Sequence, residues 1–100
     1  LWVALARSYR SGELREELVL TPARATLRHS RPGKPVLSWE AEPYWLRAEL
    51  HPSGGPVPDY LTLSGGPRVV ELGRGLTPGE RRTLHRELCA QLAALRAPEL

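Results

Sequence analysis

The sequence predicts an α+β fold: a bent antiparallel sheet of about six strands with one C-terminal helix packed on it. Three observations point there. Ten Pro and nine Gly fall between short apolar runs, where turn residues belong. The runs themselves are rich in Val, Leu, Thr, Trp and Tyr, the composition of strands. After Thr21 one long segment lacks both Gly and Pro, from Glu80 to Ala97, and it is the candidate helix. A chain of 100 residues, 41% apolar and 25% charged, fits a single globular domain.

Taken in order, the first residues stand apart. The run from Leu1 to Ala6 is continuously apolar, and Arg7, Tyr9 and Arg10 follow at once. Six such residues fall short of the about 20 that cross a bilayer as a helix, and no basic segment precedes them to make a signal peptide. Two readings stay open for residues 1–12: the end of a membrane helix, or a juxtamembrane helix docked on the domain's own core. In the first, Trp2 and Tyr9 sit at headgroup level, and Arg7 and Arg10 mark the cytoplasmic side. The chain opens on Leu1 and contains no Met, so a longer protein is expected. Residues 13–100 are expected to form the soluble cytoplasmic domain.

Six strands are predicted: Glu16–Thr21, Ala25–Ser30, Pro35–Ala41, Tyr44–Leu50, Asp59–Ser64 and Arg68–Gly73. Trp45, Arg47 and Glu49 share one face opposite Leu46, Ala48 and Leu50, and Tyr60–Ser64 alternates likewise. Short connections favour antiparallel neighbours, and hence a meander. Pro43 cannot donate to a ladder and marks a bend inside one long strand. At the helix start, Thr77 and Glu80 have capping-box spacing and Pro78 takes the first helical position. Leu84, Leu88, Leu92 and Leu95 form a stripe that must be covered, and Pro98 ends the helix. The nearest architecture is a pleckstrin-homology-like barrel lacking one strand, with an open sheet crossed by the helix as the other arrangement.

No pattern in the chain assigns a chemical activity. His85 and Cys89 are four apart on one helix face, but a metal would need further ligands from His29 or His51. Glu40 and Glu42 are spaced as paired carboxylates, with no nucleophile or second catalytic type beside them. No Gly-x-Ser-x-Gly elbow exists. Gly55 and Gly66 each precede Pro, which removes a donor that a phosphate cradle needs. One cysteine excludes an internal disulfide and suits a reducing compartment. The net charge is +3, yet Arg alternates with Glu in Arg15–Glu17, Arg47–Glu49 and Arg86–Glu87, which argues against a nucleic-acid surface. Arg81, Arg82 and Arg86 form a small basic group on the helix, solvated or set against anionic lipid headgroups.

The chain resembles a bacterial family of small integral membrane proteins classed as a domain of unknown function, DUF2244. The resemblance is carried by Arg7-Ser8-Tyr9-Arg10, Glu17 to Pro22, the Trp39–Trp45 stretch with Pro43 to Leu50, Val70 to Gly73, and Leu76 to Arg81. It covers essentially the whole chain. It implies two preceding membrane helices, residence in the bacterial inner (cytoplasmic) membrane and a cytoplasmic position for this domain. It brings no activity or site residue. The expectation is a non-catalytic, membrane-tethered domain without cofactor or metal that binds a protein partner or lipid headgroups, with Trp45, Arg47, Arg81, Arg82 and Arg86 as contact residues. An enzyme or metal domain built on His85, Cys89 and the strand carboxylates is the alternative.

Overall fold

The structure is a computed structural model that describes residues 5–11 and 14–97. Its strands are β1 (Leu5–Ser11), β2 (Leu14–Leu20), β3 (Ala25–Ser30), β4 (Leu37–Ala41), β5 (Arg47–His51), β6 (Tyr60–Ser64) and β7 (Val70–Leu72). A 3-10 turn at Pro43–Trp45 separates β4 from β5, and helix α1 spans Pro78–Arg96. All pairing is antiparallel between sequence neighbours, so the meander holds. The single six-stranded sheet does not. The strands divide into a four-stranded sheet, β1-β2-β3-β4, and a three-stranded sheet, β5-β6-β7, with no ladder between them and no closed barrel.

Pro43 explains the division. The sequence reads it as a bend inside one strand, but it opens the 3-10 turn, with Trp45 N–H on Glu42 O and Leu46 N–H on Pro43 O, both at 3.2 Å. Pro43 and Leu46 are buried while Tyr44 and Trp45 are exposed, so the predicted strand Tyr44–Leu50 shortens to β5. The helical expectation for residues 1–12 is corrected over Leu5–Ser11, which pair as a strand with β2 from Leu5↔Leu20 to Ser11↔Leu14. That pairing satisfies backbone groups that β2 would otherwise leave unpaired at the sheet edge. The Leu1–Ala4 portion of that expectation lies outside the described residues.

Alternation builds the core. Leu18 and Leu20 on β2, Ala25 and Leu27 on β3, and Trp39 on β4 are buried from the first sheet. Leu61, Leu63 and Leu72 come from the second, and Leu84, Leu88 and Leu92 from α1. The predicted leucine stripe is therefore the packing face, with Leu95 half-buried at its end. Trp39 ties the sheets together: its indole N–H donates to Arg68 O at 3.0 Å. The helix start forms as its spacing requires, with Glu80 N–H on Thr77 Oγ1 at 3.2 Å and Thr77 N–H on Glu80 Oε1 at 2.9 Å.

The Thr77 backbone N–H, aided by its hydroxyl, lowers the Glu80 carboxyl pKa from its ordinary value. A carboxylate depressed by folding stabilises the fold above its unfolded pKa, and that contribution is lost as pH falls through the folded value. Thr77→Ala should cost about 1 kcal/mol in urea unfolding at neutral pH. Glu80→Gln should flatten the acid limb of the stability curve below the ordinary carboxylate value of 4.5.

Candidate functional site

The turn between the sheets presents the most exposed aromatics of the described chain. Tyr44 and Trp45 are 61% and 63% exposed and meet edge to face, with centroids 4.9 Å apart. Their side chains face solvent while their backbone is fixed from two directions. Arg96 Nε donates to Tyr44 O at 2.9 Å and its Nη2 to Pro43 O at 3.2 Å. From the other side Gly65, at φ +95°, approaches so closely that a Cβ there would lie 2.1 Å from the Trp45 carbonyl oxygen. Arg47 follows on β5, exposed and without a polar partner among the described residues. Beside it, β5 and α1 form a cavity of about 230 Å³ whose lining includes Arg47, Ala48, Glu49, Cys89, Ala93 and Arg96 over the buried Leu46 and Leu92. The Glu49 carboxylate is held by the Ser64 hydroxyl at 2.9 Å.

The three helix arginines fare differently. Arg81 is 4% exposed, on the packing face next to Leu84. Its guanidinium donates to Asp59 O at 2.9 Å, Pro58 O at 2.7 Å, Gly73 O at 3.4 Å and Leu76 O. It ties the β5–β6 loop and the β7–α1 turn to the helix, and does not share a surface with Arg82 and Arg86. Arg82 is half-exposed and pairs with Asp59 Oδ2 at 2.5 Å. Asp59, the sole aspartate, sits at φ +54°, a conformation its side chain tolerates better than most. Arg86 is exposed and donates to Thr83 Oγ1 at 3.3 Å. Of the sequence-predicted residues, Trp45 and Arg47 are thus exposed two positions apart, at the end of the 3-10 turn and the start of β5.

The alternative residues each have local partners. His85 Nε2 lies 3.1 Å from Ala48 O and 3.4 Å from Cys89 Sγ. A carbonyl only accepts, so Nε2 is the protonated nitrogen and has no lone pair there for a metal. His51 Nε2 contacts Thr62 Oγ1 at 3.2 Å, and His29 Nε2 donates to Glu16 Oε2 at 2.5 Å. Glu40 pairs with Arg24 at 3.4 Å, while Glu42 precedes the 3-10 turn and has left the strand. Among the described residues no group of three or more His, Cys, Asp or Glu is arranged to hold a metal ion.

A family model described as an integral membrane protein, DUF2244, matches residues 1–92. The chain belongs to this family. No curated protein and no solved structure matches it. Among the described residues of this DUF2244 chain, no helix is long and apolar enough to cross a membrane.

Sequence reasoning misses Arg96, which holds the Pro43 and Tyr44 carbonyls, and Gly65, which packs against the Trp45 carbonyl, since neither a lone arginine near a helix end nor a glycine before another turn announces a long-range contact. It also places Arg81 on the surface, although Arg81, Leu84, Leu88 and Leu92 follow helical spacing. Arg81→Ala should lower stability by roughly 3 kcal/mol, because four carbonyls lose a charged donor. Arg81→Lys should recover only part of this, since an ammonium cannot reproduce the guanidinium fork. Urea titration of the three chains compares them.

Proposed function

We propose that this member of the integral membrane protein family carries a non-catalytic docking domain, held on the cytoplasmic side of the bacterial inner membrane by upstream helices. Its docking surface is the Tyr44–Trp45 platform with Arg47 and the adjoining cavity, and its ligand is a segment of a protein partner. The exposed aromatic pair carries this reading. Two large apolar rings more than 60% exposed are costly to leave in water, and here the backbone beneath them is held rigid by Arg96 and Gly65. Trp, Tyr and Arg are the residues enriched at binding hot spots, and a rigid anchor loses little entropy on docking.

The lining supports a particular ligand chemistry. Ala48 and Ala93 offer apolar contact over the buried Leu46 and Leu92, and Arg47 offers a guanidinium without a polar partner among the described residues. The matching segment carries apolar side chains and a carboxylate placed to meet Arg47. The cytoplasmic side is favoured by Arg7 and Arg10, by the positive-inside bias. The metal alternative lacks comparable support, because among the described residues no group of three or more His, Cys, Asp or Glu is arranged to hold an ion.

A photo-reactive residue at Ala93, on the cavity wall, tests the docking surface in the membrane-embedded full-length protein. We expect a discrete polypeptide adduct that falls at least tenfold in Trp45→Ala and Arg47→Glu. Adducts to lipid alone, or adducts indifferent to both substitutions, would sink the docking surface. Stoichiometric zinc or iron in the purified protein, with a melting temperature lowered by chelator, would instead establish the metal alternative.

A further inference from the structure

The geometry points to a second surface: the β3–β4 hairpin is an anionic-lipid docking site, in which Arg31 and Lys34 receive a phosphate headgroup beside His29, and Val36 and Leu37 enter the interfacial layer. It builds on the reading above only in placing the domain against a membrane leaflet. The charge pattern comes first. From Leu18 to Trp39 the chain contains Arg24, Arg28, Arg31 and Lys34 and no acidic residue. The fold then sorts these cations. Arg24 pairs with Glu40 at 3.4 Å, at the opposite end of β3, and Arg28 stands across from Glu17 in the β2–β3 register. Arg31 and Lys34 remain without a polar side-chain partner among the described residues.

The hairpin holds those two cations beside one opening. Lys34 N–H donates to Arg31 O at 3.2 Å, with Gly33 at φ +71° between them, so the turn is tight. A cavity of about 250 Å³ is lined by His29, Arg31, Lys34, Pro35 and Leu37. His29 is anchored from behind by its bond to the buried Glu16. Next to these cations, Val36 and Leu37 are 50% and 59% exposed at the start of β4. Cations alone would suit any polyanion. Cations bordered by unpartnered aliphatic side chains at a loop tip match an interface where anionic headgroups overlie acyl chains. A nucleic-acid backbone gives Val36 and Leu37 nothing to contact.

Sedimentation of the full chain with vesicles of phosphatidylcholine, with and without phosphatidylglycerol, tests this site. Binding is expected only with phosphatidylglycerol and should weaken as salt rises. Removing two basic contacts in Arg31→Gln/Lys34→Gln should weaken it on the order of thirtyfold, charge reversal in Arg31→Glu/Lys34→Glu by more than that, and Lys34→Gln alone about fivefold. Val36→Ser/Leu37→Ser should weaken it several-fold, whereas Arg86→Glu should bind as the parent does. All substituted side chains are exposed, and circular dichroism confirms that each variant keeps the fold. Phosphatidylglycerol binding that survives in Arg31→Glu/Lys34→Glu, or that disappears in Arg86→Glu, overturns the assignment. So does equal affinity for duplex DNA with Val36→Ser/Leu37→Ser inert. Vesicle binding that persists when photo-crosslinking at Ala93 yields no polypeptide adduct supports this site and removes the partner-docking reading alone.

Discussion

Two buried charges meet at one residue, Gly73, and the arrangement of both sheets and the helix depends on it. Glu16, 1% exposed on β2, accepts the Gly73 N–H at 2.9 Å, while Arg81, 4% exposed on α1, donates to the Gly73 carbonyl at 3.4 Å. A buried charge is costly unless it is paired or fully hydrogen-bonded. Glu16 meets that demand with His29 and Gly73, and Arg81 with four backbone carbonyls. These partners come from the first sheet, the β5–β6 loop and the β7–α1 turn, so the two charges are satisfied together only when all of these are assembled. Gly73 itself has φ +76°, and a Cβ there would press on Arg81 Cγ at 3.2 Å, so the joint also requires glycine. From this joint α1 runs about 22 Å to Arg96, which braces the Tyr44 and Pro43 carbonyls. The exposed platform is thus held by a helix whose origin is fixed at the far end of the core.

Much of the fold was legible because local signals agreed. Turn residues bounded each of the six later strands, alternation assigned their faces, and Thr77, Pro78 and Glu80 marked the helix start. Alternation tells which face of a strand is apolar but not which strand lies beside it. That is why one bent sheet was expected where two formed: Pro43 carries the same signal whether it bends a ladder or ends one. Leu5–Ser11 was hidden differently, since an apolar start followed by cations matches a membrane-helix end as well as a strand.

The site was legible in part, and charge was the reason. Arg81 was grouped with Arg82 and Arg86 because hydropathy sorts arginine outward, although its spacing from Leu84 already placed it on the buried face. The basic hairpin was obscured in the opposite way. Mixed signs along the rest of the chain concealed a long segment without an acid, and only the β2–β3 and β3–β4 registers show which of its cations stay unpaired. Trp45 and Arg47 are expected on one strand face, but Trp45 belongs to the 3-10 turn and Arg47 opens β5, because Pro43 starts the turn within the run that reads as a strand.

The edge of β5 decides what kind of segment the Trp45 cavity admits. β5 is the outer strand of its sheet, and an outer strand ordinarily offers its backbone to an incoming strand. Here His85 already donates to the Ala48 carbonyl at 3.1 Å, and α1 lies along that edge. Strand addition would have to break that bond and displace the helix that carries Leu84, Leu88 and Leu92 into the core. The proposed docking therefore has to run through side chains. The rings of Tyr44 and Trp45, the small apolar surface of Ala48 and Ala93, and the Arg47 guanidinium are the groups left to make it.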